Sequence, residues 1–109
     1  MIVQLKPERS TEWPDLTPNQ QYVVIGIEAD DLRLLNDAGQ PFLYPADAFD
    51  VVDSTEPSDW VTEYGDDGER YAYPPELNEP GFFEDFFDAR TEAVRTFWRI
   101  INRRLALQT

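Results

Sequence analysis

The residues of this chain that could do chemistry are carboxylates and phenols. Asp and Glu number 22 against nine Lys and Arg, and there are five tyrosines but no histidine or cysteine. The commonest general base and metal ligand is therefore missing, as is any thiol nucleophile or disulfide framework. Lys6 is the single lysine, and Ser10, Ser54 and Ser58 lie outside any Gly-x-Ser-x-Gly setting. An enzyme made from this set would have to run on carboxylates, tyrosines or a carboxylate-bound metal.

Two acidic clusters invite a metal reading, and neither has the spacing for it. Gly65-Asp66-Asp67-Gly68-Glu69 lacks the alternating ligands, central Gly and distal Glu of a calcium loop. It reads as a solvated hairpin tip. Glu28, Asp30 and Asp31 sit at a second turn, where like charges this close hold a cation weakly at best. No cofactor and no metal are expected, and the chain is read as a non-enzyme.

What remains is charge. The net charge is −13, with 21 of the 22 acids before Arg90 and five of the nine basic residues from Arg90 onward. The body thus carries about −17 and the tail about +4. Such a body repels nucleic acid and attracts basic proteins. Arg95, Arg99 and Arg103 recur at four-residue intervals, and are expected to lie near the acidic body and partly neutralise it rather than bind RNA. Eight rings (Trp60, Tyr64, Tyr71, Tyr73, Phe82, Phe83, Phe86, Phe87) crowd residues 60–87, interleaved with acids. Half of them suffice for a core; exposed Tyr and Trp in an acidic rim would anchor a basic partner.

The elements that position these groups follow from hydrophobic patterning. At 109 residues and 41% apolar content the chain is expected to form one domain. Strands are predicted at Ile2–Leu5, 22–28, 31–36, 42–44 and 49–53, with a single helical turn at 45–48. A polar loop (6–21) separates the first two. Residues 54–59 are a linker. A second hairpin pairs 60–64 with 69–73 across Gly65–Gly68. From Pro80 the chain reads helical, and the last helix spans about 89–107 with Val94, Phe97, Trp98, Ile101 and Leu105 as its apolar stripe. Whether 80–107 forms one helix or two is open at this point. The fold class is α+β: mainly antiparallel β over 1–53 and 54–79, with helix over 80–109.

This order of elements resembles the SH3-like small barrel over residues 1–53, on the run from Tyr22 to Asp53 and Leu43-Tyr44-Pro45 before the helical turn. Size, charge and the stretches YVVIGIEADDLRLLNDAGQPFLYP (22–45) and DGERYAYPPELNEPGFFEDFF (67–87) resemble the small acidic immunity proteins encoded beside bacterial polymorphic and contact-dependent toxins. That resemblance implies a stoichiometric inhibitor covering a basic toxin. The alternative is an SH3-like adaptor for an endogenous peptide. The expected contact surface is Trp60, Asp66, Asp67, Glu69 and Tyr71, with Asp30, Asp31 and Asp37 as a second. No apolar run approaches the roughly 18 residues of a membrane helix. The start lacks the basic n-region of a signal peptide, so a cytoplasmic setting without membrane or nucleic-acid partners is expected.

Overall fold

A computed structural model describes residues 1–108. Seven strands form one antiparallel sheet: β1 (Ile2–Leu5), β2 (Gln21–Glu28), β3 (Asp31–Leu35), β4 (Pro41–Pro45), β5 (Phe49–Asp53), β6 (Val61–Tyr64) and β7 (Arg70–Tyr73). Two helices follow, α1 (Phe82–Phe87) and α2 (Thr91–Gln108). The main path runs β4-β3-β2-β1-β5, while β7 pairs with β2 and carries β6 on its far side. The fold is α+β, as the patterning predicts, and the succession of strands over 1–53 is the predicted one. The path is open, because β4 and β5 do not pair. A 3-10 turn (Ala46–Ala48) connects them instead, held by Ala46 N–H to Asp30 O and Lys6 N–H to Ala48 O, both 2.9 Å.

β2 is the hinge of the sheet. Its start pairs with β1, its middle and end with β3, and its last two residues with β7. A register shift between Val24 and Gly26 leaves Ile25 as an extra residue. A bulge of this kind reverses the alternation of faces. Tyr22 and Val24 thus enter the inner core while Ile25 joins the outer one, and Ile27 returns to the inner side. The apolar run Val23–Ile27 is therefore covered on both faces. Gly26 lets β2 pass close to Tyr73: a Cβ there would lie 2.0 Å from that ring's Cε1.

Two cores result. The inner one gathers Val3, Leu5, Val24, Leu34, Tyr44 and Phe49 with Leu16 of the long loop. The outer one packs Ile25 and Tyr73 of the sheet against Leu77, Phe86 and the α2 residues Phe97, Ile100 and Ile101. The predicted stripe on α2 is thus centred on Phe97 and Ile101, both fully buried, with Val94, Trp98 and Leu105 at its margin. The helical tract is two helices. Asp88 closes α1, and Ala89 takes φ of 58°, a left-handed conformation that stops the helix.

Arg95, Arg99 and Arg103 lie on the exposed face of α2, as their spacing predicts. Among the described residues Arg95 pairs with Glu92 of its own helix, at 3.9 Å, and no ion pair joins Arg99 or Arg103 to the body. It is Arg104, outside that stripe, that bonds Asp59 with both terminal nitrogens, at 3.1 and 2.5 Å.

Candidate functional site

β3 supplies the centre of the site by simple alternation. Leu32 and Leu34 point into the inner core, which turns Arg33 to the opposite face, beneath α1. Its side chain is 7% exposed. Arg33 Nε donates to Tyr73 Oη (2.6 Å), Nη1 to the Pro41 carbonyl (2.6 Å) and Nη2 to Glu28 Oε2 (2.7 Å). The guanidinium carbon sits 3.8 Å from the centre of the Phe83 ring. Tyr73 accepts from Arg33 and donates to Glu28 at 2.5 Å. Burial pushes the Tyr73 hydroxyl up, so it stays protonated and able to donate.

Burial also pushes the Glu28 carboxyl up, but the Tyr73 and Arg33 hydrogen bonds and the Arg33 charge outweigh it and leave it low. A carboxyl depressed in the folded state adds stability above its ordinary value of 4.5 and loses that stability as pH falls through the folded value. In urea titrations, wild type and Glu28→Gln should differ at neutral pH and draw together as pH falls below the ordinary carboxylate range. A gap that stays constant into acid would mean that the Glu28 charge does not contribute.

Above Arg33 opens a groove of about 380 Å³ between β6–β7, the 3-10 turn Pro75–Leu77 and the start of α1. Its walls carry Glu28, Glu63, Glu79 and Glu84 among Tyr71 and Phe82. The one cation in the lining, Arg33, is already engaged below. An incoming ammonium or guanidinium would meet carboxylates and ring faces together, a combination that favours cations. Among the described residues no three carboxylates group closely enough to hold a metal ion.

The acidic turns stand beside this groove. At the tip of β6–β7, Gly65 N–H donates to Glu69 O (2.8 Å) and Gly68 N–H to Gly65 O (3.0 Å), with Gly68 at φ 80°. That is a three-residue hairpin loop with Gly in the left-handed position. The Glu69 carboxylate accepts from Asp67 N–H at 3.0 Å and so braces the loop, while Asp66 and Asp67 are exposed. The β2–β3 turn lies at the same end of the sheet, since Ala29 N–H donates to Arg70 O at 2.8 Å. Asp30, Asp66 and Asp67 therefore share one end, with Asp31 half-buried just inside it.

The remaining expected contacts separate. Asp37 follows the far end of β3 and is engaged there: it accepts from Tyr22 Oη (2.7 Å) and Thr17 Oγ1 (2.6 Å), pinning the long loop. Trp60 and Tyr71 do not form one surface. Tyr71 lines the acidic groove, whereas Trp60 packs on the inner core and lines an apolar cleft of about 270 Å³ against Ile101 and Leu105 of α2. Tyr64, not among the expected contacts, is 70% exposed on β6. The groove itself was missed, because Glu79, Glu84 and Arg33 meet only through the packing of α1 on the sheet.

Fold and site together define a class: an α+β domain with a carboxylate- and ring-lined groove flanked by acidic hairpin tips. No family model, no curated protein and no solved structure matches the chain. No helix among the described residues is long and apolar enough to cross a membrane.

Proposed function

We propose that this chain is a non-enzymatic binding protein that captures a basic protein partner, as an immunity protein captures and neutralises a cognate toxin. One observation carries the reading. Arg9, Arg33 and Arg70 each bond a carboxylate of the body, Glu12, Glu28 and Glu56 respectively. Asp30, Asp66, Asp67 and the groove glutamates Glu63, Glu79 and Glu84 have no ion-pair partner among the described residues. Six carboxylates without an ion-pair partner thus line the groove and the turns beside it, where they steer a basic partner, and the groove rings supply contact area. A cytoplasmic setting belongs with this reading.

The test uses the basic protein encoded next to this chain's gene. Asp66→Lys with Asp67→Lys should slow association at least about tenfold, and raising salt to ~0.5 M should slow wild type in the same way. An unchanged rate in the double variant would remove this surface from the interface. Failure of any basic neighbour to bind below micromolar would end the immunity reading.

A specific feature favours the second reading, an SH3-like adaptor. Phe42 (42% exposed) and Phe87 (46%) meet at 5.7 Å, and Trp13 lies with them along the β4 edge. Recognition of an apolar or proline-rich peptide there would be nearly salt-independent, and that separates the two readings.

A further inference from the structure

Hydrogen-bond parity along the sheet shows which of its edges can accept another strand. In an antiparallel ladder, residues that bond one neighbour alternate with residues whose N–H and C=O point the other way. At β4, Ala46 N–H to Asp30 O and Asn36 N–H to Gln40 O fix the phase. Tyr44 then bonds β3, the Phe42 N–H turns to the Gln40 carbonyl at 3.0 Å, and Pro41, Leu43 and Pro45 point outward. Two of those three are prolines without N–H, and the Pro41 carbonyl already accepts from Arg33. This edge is blunted. On β5, Lys6 N–H to Ala48 O turns Phe49 and Val51 outward, but the register shift opposite Ile2 and Val3 ends the regular ladder there.

β6 differs. Gly65 N–H to Glu69 O sets the phase, so Val61 and Glu63 bond β7. Thr62 and Tyr64 therefore present N–H and C=O to the outside. The phase is confirmed from the other side of β7, where Ala29 N–H bonds Arg70 O. No proline or bulge interrupts β6, and both residues are exposed. Its two faces are chemically distinct. Glu63 shares a face with Tyr71 and the acidic groove, whereas Thr62 and Tyr64 share the other with Arg70, which bonds Thr62 Oγ1 at 3.2 Å.

Resting on the binding role proposed above, we infer that the partner docks by adding an extended basic strand to the free edge of β6. The added strand bonds the backbone of Thr62 and Tyr64. Its alternate side chains, basic ones, reach the carboxylates of the groove, and the intervening apolar ones lie along Tyr64. Main-chain bonds hold the segment while the period-2 pattern selects it.

The probe is an eight-residue peptide alternating Lys and Val, with a control of identical charge N-methylated at every residue. Hydrogen exchange of this protein's amides is followed by NMR. The unmethylated peptide should slow exchange at Thr62 and Tyr64, and should bind at least about tenfold more tightly than the control, given two or more added backbone bonds. Equal binding of both peptides, with shifts around Glu63 and Asp66, overturns strand addition and leaves the acidic-surface reading standing. Protection at Val51 instead of Thr62 and Tyr64 places the addition on the wrong edge and overturns the proposal. Binding of neither peptide at low salt overturns both.

Discussion

Phe97→Ala should lower the free energy of unfolding by about 3–5 kcal/mol, the usual cost of emptying a fully buried phenylalanine site. The Phe97 ring is 0% exposed and lies 4.6 Å from the Phe86 ring, 6.0 Å from Phe83 and 5.0 Å from Trp98. Neither ladder nor backbone bond joins α2 to the sheet among the described residues, so packing and the Arg104–Asp59 pair hold it in place. That pair is half exposed at Asp59 and contributes at most about 1 kcal/mol. The burial of Phe97, Ile100 and Ile101 must do the rest, at roughly 1.5–3 kcal/mol for each large side chain. A domain is stable by only about 5–15 kcal/mol in total, so the variant should show a much lower urea midpoint with an unchanged slope. Trp98→Ala, at the margin of the stripe, should cost less. Truncation after Asp88 should go further and leave an aggregating chain with Ile25, Tyr73 and Leu77 uncovered. A Phe97→Ala cost below about 1 kcal/mol, with a soluble folded truncation, would make α2 an appendage.

The strands from Tyr22 to Asp53 were legible because their signals are local. β-Branched and aromatic runs, and turns at Ala29-Asp30 and Asn36–Gly39, need no knowledge of what covers them. The bulge at Ile25 was not legible, because a run of Val-Val-Ile-Gly-Ile reads as strand in either phase. Only the requirement that both faces of β2 be covered fixes where the alternation reverses. The break between α1 and α2 was likewise hidden, since Ala89 is not the glycine that marks such a stop.

For the site, composition led to acidic turns and crowded rings, and β pairing does bring Asp30 to the same end as Asp66 and Asp67. Sequence adjacency misled at Trp60 and Tyr71: on a hairpin, residues of opposite parity face opposite sides, and these two line different clefts. Asp37 was expected on the second contact surface, whereas Tyr22 and Thr17 reach it from far along the chain. The alternation Leu32-Arg33-Leu34 puts Arg33 on a second face of β3 without saying what lies over it. The four phenylalanines at 82–87 were the available signal that this second face is covered, since such rings need a surface to cover.

Arg33→Ala should be among the most damaging single substitutions outside the apolar cores. It leaves Glu28 Oε2, Tyr73 Oη and the Pro41 carbonyl without their shared donor, and it opens a gap beneath Phe83. Breaking a buried pair by removing one partner costs about 3–5 kcal/mol. The Glu28 side chain is 31% exposed, so water can reach the stranded carboxylate and the loss should fall at the low end of that range. Arg33→Lys cannot rescue it, because one ammonium cannot match a planar fork that serves three acceptors and stacks on a ring. Arg33→Met, combined with Glu28→Gln, should recover part of the loss, since it removes the stranded charge and keeps an apolar stem against Phe83. A double-mutant cycle between the two positions should give a coupling of about 0.5–3 kcal/mol. If Arg33→Ala costs less than about 0.5 kcal/mol, the buried network does not form in solution. The groove floor would then be mobile, and its carboxylates would lose the fixed placement on which recognition of a basic strand depends.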